Sequence, residues 1–183
     1  TKACGPGEVQ LYLADVRRTL LGVVDGAHLG GYAISAAILG DQLRGLVDML
    51  RDRLPGASVS QQELRDRSWW SGPEVYVIVD DHDLLATGTD PLNQLLEFLP
   101  YARDIGLHLV IARRAGGAAR ALYDPVPAMM RELGSTGLVM SSATEEGPLL
   151  GTVRPVVLPP GRATLVLRGT AVERVQIAWT DPP

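Results

Sequence analysis

Apolar and polar positions alternate along this chain between two periods, one of strands and one of helices. The run VQLYLAD at 9–15 is mostly apolar and closes on an acid, which predicts a short buried strand. Residues 34–54 then place Ile38, Leu39, Leu43, Leu46, Val47 and Leu50 at helical spacing with charges between them, predicting an amphipathic helix stopped by Pro55 and Gly56. A shorter helix is expected at 61–67. Ser71, Gly72 and Pro73 break the chain before VYVIV at 75–79, the strongest strand signal present. Pro91 opens another helix, with Leu92, Leu95, Leu96 and Leu99 in phase, and LHLVIA at 107–112 returns as a strand. The chain continues with a helix at 125–133 and a strand at 138–140 that extends the same theme. It ends in a hairpin of 163–168 and 172–179 turning at Gly169 and Thr170.

This alternation predicts an α/β domain spanning 1–183, a mostly parallel sheet with helices on both faces. The strand at 75–79 should lie centrally between those at 9–15 and 107–112, because apolar runs of this kind need cover on both sides.

Composition narrows the function. With 183 residues, 46% hydrophobic and 21% charged, the chain can bury a sizeable core unaided. A single Cys, Cys4, and scattered His28, His82 and His108 provide neither a bridge nor a metal cluster, as expected of a reducing compartment. The net charge of -4, with Lys2 as the lone lysine, argues against duplex DNA as a partner. The uncharged stretch at 26–40 is about 15 residues with several glycines, short of the ~20 that a spanning helix needs. No secretory leader pattern opens the chain, and from Thr1 in place of Met a fragment is expected.

The strand at 75–79 runs into Asp80 and Asp81 at what should be the carboxyl edge of a parallel sheet, where ligands bind. The first acid of such a Walker B pair, here Asp80, can hold the magnesium of a nucleotide through water, and the second, Asp81, can orient or deprotonate the attacking water. The same acids would also suit a solvated strand end or a turn cap. No G-x-x-x-x-G-K-[ST] phosphate cradle occurs, and Lys2 lacks the preceding glycine. Arg113 and Arg114, ending a strand, could face a phosphate or meet carboxylates. Trp69 and Trp70 suit either a peptide groove or burial against the sheet, and Met129 and Met130 either an adaptable surface or a helix core.

Whole phrases carry a resemblance. D-V-R-R-T-L-L-G at 15–22, R-S-W-W-S-G-P-E-V at 67–75, V-D-D-H-D at 79–83, A-R-D-I-G-L-H-L-V-I-A-R-R at 102–114, G-G-A-A-R-A-L-Y-D-P-V at 116–126 and L-P-P-G-R at 158–162 resemble the last ATPase domain of the EccC family. These are FtsK/SpoIIIE-type ATPases of the type VII secretion system. The resemblance implies a RecA-like P-loop NTPase domain, incomplete at its amino end, with Asp80 and Asp81 as the Walker B pair. DNA-pumping members carry Glu where this chain has the shorter Asp81, and a Thr-Gln sensor where it has Arg113 and Arg114. Both departures imply a degenerate ATPase, with ATP and magnesium held weakly or not at all, and the absence of the phosphate-cradling loop predicts no measurable hydrolysis by this chain alone.

On the same basis the partners are the carboxyl-terminal tail of a secreted WxG-motif helical-hairpin dimer and other ATPase domains of a homo-oligomeric motor. The location is the cytoplasmic part of a membrane-anchored complex. A peptide groove would draw on Met129, Met130, Leu149 and Leu150, although core packing suits each of them better. Two alternatives remain: an ATP-hydrolysing domain whose P-loop lies outside this chain, and an FtsK-type DNA translocase, which the acidic charge disfavours.

Overall fold

The computed structural model describes residues 4–24, 26–142, 146–167 and 172–178; Lys2, Arg168, Gly169, Thr170 and Trp179 lie outside them. It forms two compact units, one ending at Arg113 and one beginning at Arg114, each with its own sheet.

The first unit is built on β1 (Val9–Asp15), β2 (Leu29–Ala33), α1 (Ala36–Asp52), α2 (Gln61–Asp66), β3 (Glu74–Asp80), the single-turn α3 (His82–Leu85), a 3-10 helix (Pro91–Tyr101) and β4 (Leu107–Ile111). The strands run parallel in the order β2-β1-β3-β4, so β3 is flanked by β1 and β4 as its apolar run predicts. Its Val75, Val77 and Val79 are wholly buried. The alternate residues Tyr76 and Ile78 are half-buried, leaving that face of the sheet more open. Ser35 caps α1 by accepting from the Ile38 amide, and Leu39, Leu43, Leu46 and Leu50 form its buried stripe. The facing residues on the 3-10 helix are Leu92, Leu95, Phe98 and Leu99.

Two elements differ from expectation. β2 lies inside the uncharged stretch at 26–40, where Gly30 and Gly31 dilute the strand pattern. Those glycines are required there: a Cβ on Gly30 would lie 2.8 Å from the Tyr12 ring, and one on Gly31 2.6 Å from Gln42 Oε1. The helix opened by Pro91 winds as 3-10 rather than α, and Pro100 removes one of its amide donors.

At the amino edge of this sheet a buried arginine ties the loops together. Arg53 is 3% exposed and donates to the Ile105 and Pro73 carbonyls, and its guanidinium lies 4.2 Å from the centre of the Trp70 ring. Burial lowers its pKa, the Glu74 charge opposing. The Trp69 and Trp70 indoles donate to the Arg53 and Asp104 carbonyls, so both rings are structural fittings at this edge.

The second unit comprises α4 (Ala118–Ala121), α5 (Pro125–Glu132), β5 (Gly137–Met140), β6 (Arg162–Val166) and β7 (Val172–Gln176). β6 and β7 form the expected antiparallel pair, with Val166 opposite Val172. β5 corrects the sequence reading, because it pairs antiparallel with β6 instead of extending the parallel sheet. Its alternation explains this: Val139 is buried while Leu138 and Met140 are exposed, the one-sided pattern of an antiparallel strand.

Gly106 holds φ +71, and a Cβ there would lie 2.6 Å from Trp70 Cη2. Gly106→Ala therefore adds left-handed strain of about 1–2 kcal/mol and a clash against the ring. We expect a lower urea midpoint at unchanged m-value, with Gly106→Ala/Trp70→Leu recovering part of the loss; equal stability of Gly106→Ala and the parent would contradict this account.

Candidate active site

The carboxyl ends of β1 and β3 meet in register, Asp15 opposite Asp80, while Ile111 of β4 stands beside Val79. Asp15 is fully buried and its carboxylate accepts from the Thr19 amide at 3.0 Å, the Leu20 amide at 2.7 Å and the Tyr32 hydroxyl at 2.7 Å. Burial pushes its pKa up, but the donors of Leu20, Tyr32, Thr19 and Arg18 outweigh it and hold the group below its ordinary 3.8. In return, burial and the Asp15 carboxylate push the Tyr32 hydroxyl up to about 12. This carboxylate folds the loop after β1 back toward β3.

Two side chains of that loop reach the predicted acids. The Thr19 hydroxyl donates to Asp80 Oδ2 at 3.3 Å, and the Asp81 amide donates to Asp80 Oδ1 at 3.0 Å. Arg17 Nε and Nη2 donate to Asp81 Oδ2 and Oδ1 at 2.6 and 2.5 Å, a two-pronged ion pair. Its hydrogen bonds to Asp81, then the charges of Asp81, Asp80 and Asp83, hold the Arg17 guanidinium above its ordinary range. Asp81 adopts the left-handed backbone, φ 51 and ψ 46, a conformation aspartate tolerates better than most residues. His82 follows, fully buried; its amide donates to the Ala112 carbonyl at 3.0 Å and its Nε2–H to Asp90 Oδ2 at 2.8 Å. Asp90 in turn caps the 3-10 helix at the Leu92 amide.

Asp80 and Asp81 thus stand at the expected edge, and half-buried Arg113 follows β4 on the same edge. Arg114, exposed, opens the second unit. Met129 and Met130 are half-buried on α5. Leu149 and Leu150 are half-buried in a turn closed by the Leu149 amide on the Val153 carbonyl and the Val153 amide on the Leu150 carbonyl. Leu150 packs on β5, where a Cβ on Gly137 would lie 2.4 Å from its Cδ1. The sequence reading overlooked Asp15, Arg17, Thr19 and Tyr32. The signal available was D-V-R-R-T directly after a strand, an acid positioned to bond the backbone of its own loop.

Among the described residues no group of three or more His, Cys, Asp or Glu could hold a metal ion. Magnesium with a nucleotide makes a smaller demand, one or two carboxylates with water and phosphate oxygens completing the shell. Asp80, with the Thr19 hydroxyl beside it, supplies hard oxygen donors of that kind. Among the described residues no helix is long and apolar enough to cross a membrane.

This parallel sheet, whose central apolar strand ends in two acids at the carboxyl edge, has a RecA-like P-loop NTPase fold, here an incomplete one. No family model matches the chain. The ESX-4 secretion system protein EccC4 of Mycobacterium tuberculosis is 54% identical over 175 residues, covering 95% of this chain and 14% of that protein. Among solved structures, Thermomonospora curvata EccC (ATPases 2 and 3) in complex with a signal sequence peptide is 43% identical with a TM-score of 0.93, over 97% of this chain and 32% of that one. The cytoplasmic domain of the same type VII secretion ATPase matches equally well, with 21% of its length covered. A further solved chain, an ATPase, is 33% identical with a TM-score of 0.86, over 98% of this chain and 71% of that one. The chain belongs to the EccC family of FtsK/SpoIIIE-type, type VII secretion ATPases, and spans about a seventh of the length of the mycobacterial relative.

The depressed Asp15 pKa has a definite sign. Because the folded value lies below the unfolded one, the contribution is complete above about pH 4 and is lost as pH falls through the folded value. Asp15→Asn strands donors and costs about 1–3 kcal/mol at neutral pH. Urea titrations between pH 7 and pH 2 should show the parent losing more stability below about pH 4 than Asp15→Asn does. Parallel curves would remove Asp15 from this role.

Proposed function

We propose that this chain is a degenerate ATPase module of a type VII secretion motor that binds the carboxyl-terminal tail of a secreted WxG-motif helical-hairpin protein and regulates the motor. The observation that carries the reading is the match to Thermomonospora curvata EccC in complex with a signal sequence peptide, at 43% identity over 97% of this chain. Recognition is of the helix-in-groove kind, with spaced apolar anchors on the tail entering a hydrophobic slot. Met129, Met130, Leu149 and Leu150 are the proposed slot residues, favoured by their half-buried placement. Degeneracy is supported by Asp81 standing where translocating relatives carry the longer Glu, and by Arg113 and Arg114 in place of a polar sensor. The working location is the cytoplasmic part of a membrane-anchored assembly, alongside other ATPase domains of the same motor.

A second reading keeps ATP hydrolysis, and the Asp80 and Thr19 oxygens at the sheet edge are the feature that favours it. In that reading Asp80 and Arg113 belong to the nucleotide site, with Arg114 next in sequence.

The test is a fluorescence-anisotropy titration of the full-length protein with the labelled tail peptide of its secreted partner. We expect saturable binding that does not require ATP, weakened about tenfold by Met129→Ser or Leu149→Ser, a loss of roughly 1.4 kcal/mol. Absence of binding at a few hundred micromolar, where contacts worth roughly 5 kcal/mol still register, would overturn the receptor role.

A further inference from the structure

The acid that should activate water is already spoken for. Both oxygens of Asp81 are engaged by one guanidinium, Arg17 Nε on Oδ2 at 2.6 Å and Nη2 on Oδ1 at 2.5 Å. The Asp81 side chain is 5% exposed while that of Arg17 is 59% exposed, so the arginine lies on the solvent side of the carboxylate and both neutralises and covers it. A general base must offer a lone pair to the water it deprotonates, within about 3 Å. A carboxylate gripped at both oxygens by a two-pronged, charge-assisted pair and covered by the same guanidinium leaves an attacking water little access to it.

Arg17 is also held in place before any ligand arrives. It stands two residues past the end of β1, and the register that sets Asp15 opposite Asp80 brings it level with Asp81. The loop that carries it is pinned by the Asp15 carboxylate at the Thr19 and Leu20 amides and by the Arg18 amide on the Asp15 carbonyl at 3.3 Å. Arg18 itself adopts φ 59, so the turn is a defined conformation and not an arbitrary surface excursion.

We propose that Arg17 is an inhibitory positioning residue, a clamp supplied by the chain itself that withholds Asp81 from water and keeps this ATPase edge silent. The inference rests on reading the Asp80 and Asp81 edge as a nucleotide site, and it locates the cause of silence in a removable contact in addition to the shortened acid. Hydrolysis needs the water oxygen to bond to the terminal phosphorus as the bridging P–O bond breaks, with the proton of that water passing to a base. Arg17 blocks only the last of these requirements. Its removal should therefore unmask activity, the reverse of what loss of a merely structural ion pair does.

Three measurements on the full-length protein, parent against Arg17→Ala, test this. Carbodiimide labelling of carboxylates read by mass spectrometry should find Asp81 protected in the parent and labelled several-fold more in Arg17→Ala, with Asp80 little changed. Photolabelling with azido-ATP and magnesium, the modified peptides located by mass spectrometry, should mark residues 1–183 in both. ATP turnover should rise about tenfold in Arg17→Ala and fall back when Asp81→Asn is added. Arg17→Lys, which keeps the charge but not the fork, serves if Arg17→Ala does not fold, and should label Asp81 to an intermediate degree. Labelling of Asp81 in the parent overturns the clamp, as does an exposed Asp81 in a nucleotide-binding variant with unchanged turnover. Failure of both proteins to label within residues 1–183 overturns the nucleotide reading of this edge, and the clamp with it.

Discussion

A carboxylate without solvent must be paid for in donors, and Asp15 collects them from its own neighbourhood. With no exposure, it takes the Thr19 and Leu20 amides and the Tyr32 hydroxyl. That single constraint sets the course of the chain after β1. It joins β2, through Tyr32, to the loop that contacts β3, and it delivers Arg17 and Thr19 to the two acids beyond. The apolar core of Val75, Val77 and Val79 provides the platform, but the platform alone would leave the loop unplaced.

The other side of the acid pair is fixed by a second buried polar link. His82 follows Asp81 directly and is bound to Asp90, which caps the helix beginning at Pro91. Asp81 is thus restrained from both directions, by a guanidinium through its side chain and by the buried imidazole of its successor through the backbone. Its left-handed conformation persists because the surroundings over-determine it.

The sheet was legible because its strands are dense apolar runs, and the rule that parallel strands require burial placed β3 between β1 and β4. The position of Asp80 and Asp81 was legible for the same reason, since an apolar run ending in two aspartates declares both the strand and its end. What escaped were features decided by tertiary contact. Gly30 and Gly31 hide a strand because the space their side chains would occupy belongs to Tyr12 and Gln42. Arg17 looks like any surface arginine until β1 and β3 are paired. β5 looked like another parallel strand, because four residues are too few for alternation to be distinguished from a continuous apolar run. The fate of Met129, Met130, Leu149 and Leu150 was the least legible, because half-buried apolar residues serve cores and grooves alike.

The far edge of the first sheet holds a feature with a practical use. The Trp70 ring is faced by the guanidinium groups of Arg53 at 4.2 Å and Arg67 at 5.5 Å, and its indole nitrogen is bonded to the Asp104 carbonyl. Trp69 is bonded nearby to the Arg53 carbonyl, so two of the three tryptophans report from one end of the sheet. The acids lie at the other end of the same β3 strand, at Asp80 and beyond. Intrinsic emission from these indoles is therefore a built-in optical gauge of whether the scaffold stays intact while its opposite rim is altered, with no added dye.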